Sequence, residues 1–94
     1  QQAVMLRMAL TMVEQYYRNR YEVMEEYLRI VGFRHKRRAI PKELYCDWRD
    51  CMLETLQDFH GVDWTDTLEQ QWTEALNLAI DRMREGYELE EGNI

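Results

Sequence analysis

The sequence predicts an all-α domain. Apolar residues recur with a helical period almost throughout, nothing alternates with period two over a strand's length, and one proline and four glycines leave few helix breakers. The 94 residues allow a single domain. A chain of this size buries only roughly two thirds of its unfolded surface, so its core is small. Domains this small often lean on a metal, a cofactor or a partner.

The first helix is expected from about Gln2 to Tyr17. Leu6, Ala9, Leu10, Val13 and Tyr17 share one stripe, and Met5, Met8 and Met12 widen it into a broad buried face. Arg18, Asn19 and Arg20 end it. The second helix is expected from about Tyr21 to His35, with Met24, Leu28, Val31 and His35 at i, i+4, i+7 and i+11. The basic residues that follow suit the negative end of its dipole. Pro41 is expected to open the third helix, because the first helical position tolerates a missing N–H. Leu44, Trp48, Cys51, Met52, Thr55, Leu56 and Phe59 mark its inner face, and Gly61 is its stop. Thr65 is a good N-cap for the fourth helix, with Asp66 and Glu69 in its first turns. Leu68, Trp72, Ala75, Ala79 and Met83 line its inner face, with Leu76 and Ile80 beside them, and it ends near Gly86. Four helices on short loops form an all-α domain over residues 1–87, with an acidic tail at 88–94.

Composition narrows the function. Apolar residues are 46% and charged residues 32%, which reads as soluble and globular. The net charge of −6 disfavours nucleic acid as a partner, since phosphate binding needs a basic face. No apolar run approaches the roughly 18 residues of a membrane helix, and no signal-peptide pattern opens the chain. Cys46 and Cys51, five apart on a helix, would point about 140° from each other; reduced thiols and a cytoplasmic location fit. The chain opens on Gln1 in mid-pattern, which suggests that an N-terminal part of a longer domain is missing.

His35 is the first candidate for chemistry. It sits where an apolar stripe meets a loop, so one ring nitrogen can face an apolar slot while the other meets a second group. A surface histidine capping a helix C-terminus answers the same spacing. No second ligand supports an ordinary metal site: His60 is 25 residues away, and there is no HExxH or CxxC. Haem needs only one protein ligand. Tyr45 lies ten residues after His35, where its hydroxyl can reach the imidazole, although half-buried tyrosines with a wet tip are common. Gln2 and Leu6 share a helix face; a glutamine there can donate to a bound diatomic ligand or lie exposed at a terminus. Arg34, Lys36, Arg37 and Arg38 suit propionates, phosphates or a lipid headgroup, or simply a solvated turn. The methionines of the first helix read as core filler. No serine is present, so no serine nucleophile exists, and nothing specific supports pairing either cysteine with His60.

The order Gln2–x3–Leu6, Val31-Gly32-Phe33-Arg34-His35, Ile40-Pro41-x2-Leu44-Tyr45, Trp48, Met52-Leu53, Asp63-Trp64-Thr65, Trp72-x2-Ala75, then Met83 and Tyr87, resembles a known family. It is similar to the last four helices, E to H, of bacterial single-domain haemoglobins and flavohaemoglobin haem domains. The resemblance runs from about Gln2 to Tyr87 and includes the 33-residue step from Gln2 to His35. It implies a globin-like fold that binds haem b, with His35 as the proximal iron ligand, Gln2 as the distal polar residue and Leu6 over the iron. It further implies Leu28, Val31 and Ile40 on the proximal face of the porphyrin, Met52 and Leu53 approaching from the third helix, and Lys36 or Arg37 at a propionate. Tyr45 would hydrogen-bond around the proximal histidine.

The family's late glutamate partner for Tyr45 is not in place; Tyr87 stands at about that position, with Glu85 two residues before it. The 94 residues show no counterpart of the family's helices A to C or of its flavin and nicotinamide domains. The expected function is reversible binding of O2, NO or CO in transport, storage or sensing. NO dioxygenase-type activity would need an external reductase, and a homodimer or domain swap would cover bare apolar surface. The competing readings are a haem-free globin-like module that binds another protein, and a generic bundle that uses its basic patch.

Overall fold

The computed structural model describes residues 2–90, with side chains from residue 4 onward. Four helices follow one another: α1 (Gln2–Asn19), α2 (Glu22–Arg37), α3 (Leu44–His60) and α4 (Asp66–Gly86), with a 3-10 turn at Gly61–Asp63 before the last. No strand occurs among the described residues, so the all-α expectation holds. Nor is any described helix long and apolar enough to cross a membrane.

The helix ends show how the chain turns. Arg20 and Ala39 close α1 and α2 in the left-handed region, at φ 54° and 60°. That conformation costs a residue with a Cβ roughly 1–2 kcal/mol, and it reverses the chain within one residue. After α2 the Ile40 N–H returns to the His35 carbonyl at 3.0 Å, which folds Ile40 back beside the histidine. Pro41 does not open α3. It starts a turn three residues earlier, with its carbonyl accepting from Leu44 N–H at 3.1 Å. Gly61 stops α3 at φ 56°. The Thr65 hydroxyl accepts from Leu68 N–H at 3.1 Å and caps α4 as expected.

The other three helices all pack on α4. It contributes Ala75, Leu76, Ala79, Ile80 and Met83 to the core, which α1 meets with Val13 and Tyr16, α2 with Leu28, and α3 with Tyr45 and Met52. Two predicted faces are corrected. Met5 and Met8 are 69% and 64% exposed, so α1 buries a narrow stripe, because it meets only α4 in force. On α3, Leu44, Cys51, Thr55 and Phe59 are exposed, while Tyr45, Met52 and Leu56 are buried. Tyr16, absent from the expected stripe, is wholly buried and donates its hydroxyl to Glu25.

The α2–α4 crossing is the closest in the molecule. A Cβ on Gly32 would lie 1.9 Å from the Met83 carbonyl oxygen, and one on Gly86 would lie 1.9 Å from that of Arg29. Backbone therefore meets backbone at two reciprocal points. Ion pairs flank the crossing: Arg29 Nε to Glu85 Oε1 at 2.7 Å, and Arg82 Nη2 to Glu85 Oε2 at 2.6 Å.

Gly32→Ala is expected to cost about 3 kcal/mol, the upper end for overpacking, because the obstruction is a helix backbone and not a flexible side chain. Thr65→Ala is expected to cost about 1 kcal/mol through its lost cap. Urea midpoints at constant m-value check both, and equal midpoints for Gly32→Ala and the parent would refute the backbone crossing.

Candidate functional site

A cleft of about 640 Å³ opens where α1, α2 and α3 diverge from α4. This volume lies within the roughly 300–1,000 Å³ of small-molecule and cofactor sites. Met5, Met8, Ala9, Met12 and Val13 form the α1 wall, and Met83 of α4 reaches in from below. The α2 wall carries Tyr27, Leu28, Val31 and His35; Ile40 from the turn and Leu44, Tyr45 and Trp48 from α3 complete it. The lining is predominantly apolar, with the His35 imidazole as its one ring that titrates near neutral pH.

Geometry fixes that imidazole. His35 Nδ1 and the Tyr45 hydroxyl oxygen are 2.8 Å apart, and the rings sit at 6.0 Å between centroids. Burial, and then the positive charge of Arg38, lower the His35 pKa from its ordinary value, so the ring is neutral at pH 7. Burial, followed by the neighbouring Tyr87 hydroxyl, holds the Tyr45 phenol far above its ordinary range, so it keeps its proton. Tyr87 meets the Tyr45 ring edge-on at 6.0 Å and donates its own hydroxyl to the Ile40 carbonyl at 2.6 Å. No hydrogen bond engages His35 Nε2 among the described residues.

Of the residues singled out in the sequence, Leu28, Val31, His35, Ile40 and Tyr45 come together around the cleft. Leu6 and Leu53 pack against the core outside its lining, and Met52 is buried in the core itself. Lys36 is exposed, and its ammonium donates to the Leu89 carbonyl at 3.3 Å. The Gln2 side chain lies outside the described residues. Sequence reasoning missed Tyr27, which shares the stripe of Val31 and His35 at i, i+4 and i+8. It also took Met5 and Met8 for core filler; they stand in the cleft wall and largely exposed.

Among the described residues no group of three or more His, Cys, Asp or Glu side chains is arranged to hold a bare metal ion. One neutral imidazole in an apolar slot would suffice as the donor set for a cofactor that brings its own equatorial ligands. The residues present fit haem on that chemistry. A family model described as Globin matches residues 4–83. No curated protein and no solved structure matches the chain.

Because the fold lowers the His35 pKa, the unfolded chain binds more protons in the window between the folded value and the ordinary 6.5. Stability of the ligand-free chain is therefore expected to fall as pH drops from above 6.5 through the folded value. His35→Phe should flatten that part of the profile. Thermal midpoints between pH 8 and pH 5 check this, and an unchanged slope in the variant would refute it.

Proposed function

The chain belongs to the globin family, and from that premise we propose that it holds haem in the cleft between α1, α2 and α3, with His35 Nε2 as the axial ligand to iron. The observation that carries this reading is the His35–Tyr45 pair. One ring nitrogen is tied to a buried phenol at 2.8 Å, and the other is left unpaired on an apolar cleft. A second partner that orients the imidazole is the usual support of a metal-bound histidine.

In this reading Leu28, Val31 and Ile40 lie against the porphyrin on the His35 side, where they exclude water from the ligating nitrogen. Lowered basicity keeps that nitrogen from being protonated in competition with the metal. Gln2 as distal donor, Leu6 above the iron, Met52 and Leu53 approaching the haem, and a propionate at Lys36 rest on the resemblance to bacterial haemoglobins. Haem supplies an iron whose open position takes a diatomic gas: O2, NO or CO. The protein's part is to bind, orient and shield, in transport, storage or sensing in the cytoplasm. On the same resemblance, α1 to α4 are helices E to H of a haem domain of residues 1–87, followed by the acidic tail.

A second reading has its own observation. Val4, Met5 and Met8 of α1 are exposed apolar side chains grouped on one face, as a haem-free module that binds another protein would have them.

Absorption spectra of the purified chain with added haem separate the two. The first reading expects an intense porphyrin band that shifts on reduction and again with CO. That response should be lost in His35→Ala while the helical circular dichroism is kept. A band indifferent to His35→Ala, or no band, would overturn it in favour of the interaction module.

A further inference from the structure

We propose that the basic turn joining α2 to α3 is a docking surface for an acidic segment of a partner protein, and that the chain's own acidic C-terminal strap occupies it until that partner displaces it.

Charge sets this turn apart. Five of the chain's 12 Lys and Arg residues fall between Arg34 and Lys42, with no Asp or Glu among them, although the chain carries a net charge of −6. All five are exposed. Arg37 lies back over the Phe33 ring, its guanidinium 6.0 Å from the centroid. Lys36 and Lys42 reach instead to the segment that follows α4. Tyr87 first ties that segment to the turn, its hydroxyl donating to the Ile40 carbonyl at 2.6 Å. Two tight turns carry the chain on, with Glu88 N–H on the Glu85 carbonyl and Leu89 N–H on the Gly86 carbonyl, both at 3.1 Å. Glu88 Oε1 then lies 4.0 Å from Lys42 Nζ, and the Leu89 carbonyl accepts from Lys36 Nζ at 3.3 Å. Leu89 is half-buried, while Glu88 and Glu90 are exposed.

These contacts define the chemistry of the ligand. One lysine takes a carboxylate, and the other takes a main-chain carbonyl one residue further on. A nucleic acid or a lipid headgroup offers the charge but no peptide carbonyl. The net charge of −6 also opposes an extended polyanion or an anionic bilayer, whereas a short acidic segment meets only the local positive field. The strap is exchangeable, because the Lys42–Glu88 pair is solvent-exposed and screened by salt. Its tether gives it a high effective concentration, so it excludes weak competitors and yields to a segment that brings more carboxylates. A partner docked there stands beside His35 and Ile40, at the edge of the cleft.

The surface belongs to the ligand-free chain and does not depend on the haem reading. Fluorescence anisotropy of a dye-labelled hexaglutamate peptide, titrated at low ionic strength with the full chain, tests it. Glu88→Gln is expected to bind the peptide about threefold more tightly than the parent, the scale of one exposed pair. Glu69→Gln, at the other end of α4, changes the net charge equally and should bind like the parent. Adding Lys42→Gln to Glu88→Gln should remove the gain, and raised salt should weaken binding throughout. A gain equal in Glu88→Gln and Glu69→Gln, a gain that survives Lys42→Gln, or no binding by any of these chains would overturn the proposal. So would a chain that ignores the peptide and sediments with phosphatidylserine vesicles, which would make the surface a membrane contact. Self-association of the parent that Glu88→Gln abolishes would make the occupant the strap of a second copy, and would equally overturn it.

Discussion

The structure depends on the backbone-to-backbone crossing of α2 and α4. With Gly32 against the Met83 carbonyl and Gly86 against the Arg29 carbonyl, the two helices are pinned at two points, which fixes both their separation and their register. His35 lies three residues beyond the first glycine, and Tyr87 directly follows the second. The positions of His35 and Tyr87, which lie on either side of the Tyr45 ring, are thus set by helix packing and not by loop conformation. A site carried on rigid elements holds its geometry better than one carried on loops.

Charge surrounds this crossing without carrying it. Arg29, Glu85, Arg82, Glu25 and Tyr16 link α1, α2 and α4 through half-buried pairs. Solvent-screened pairs each contribute little, but a shared network resists sliding of one helix along another. Tyr16 is central to it: its ring is the most deeply buried aromatic of α1, and its hydroxyl reaches Glu25. The Tyr16 proton and the two arginines hold the Glu25 carboxyl below its ordinary pKa. Glu25 therefore stays charged, and the network intact, through the neutral range.

Much of this was legible in the sequence, for reasons that are local. Thr65 and Gly61 mark their helix ends because capping and positive φ act within one turn. The i, i+4, i+7, i+11 stripe of α2 placed Leu28, Val31 and His35 on one line, and they do share the cleft. The rest is set by tertiary contact. Hydropathy reads Tyr16 as amphipathic and Met5 as core, whereas the fold buries the first and bares the second. Gly86 reads as a helix end, and it is one; its closer constraint is the Arg29 carbonyl, which no one-dimensional pattern reveals. Pro41 satisfies the rule for a first helical position, yet the left-handed Ala39 first turns the chain back.

The cleft has two unlike walls, and the difference follows from the same packing. Its α2–α3 side is fixed by the glycine crossing, by the Ile40 N–H on the His35 carbonyl, and by Tyr45 and Tyr87. Its α1 side is largely methionine, with Met5 and Met8 exposed, while Val13, Tyr16 and Tyr17 hold the helix to the rest of the molecule. Unbranched thioethers adapt to an irregular surface at little cost. Rigidity is thus concentrated around the His35 imidazole, and compliance on the broad apolar surface of α1.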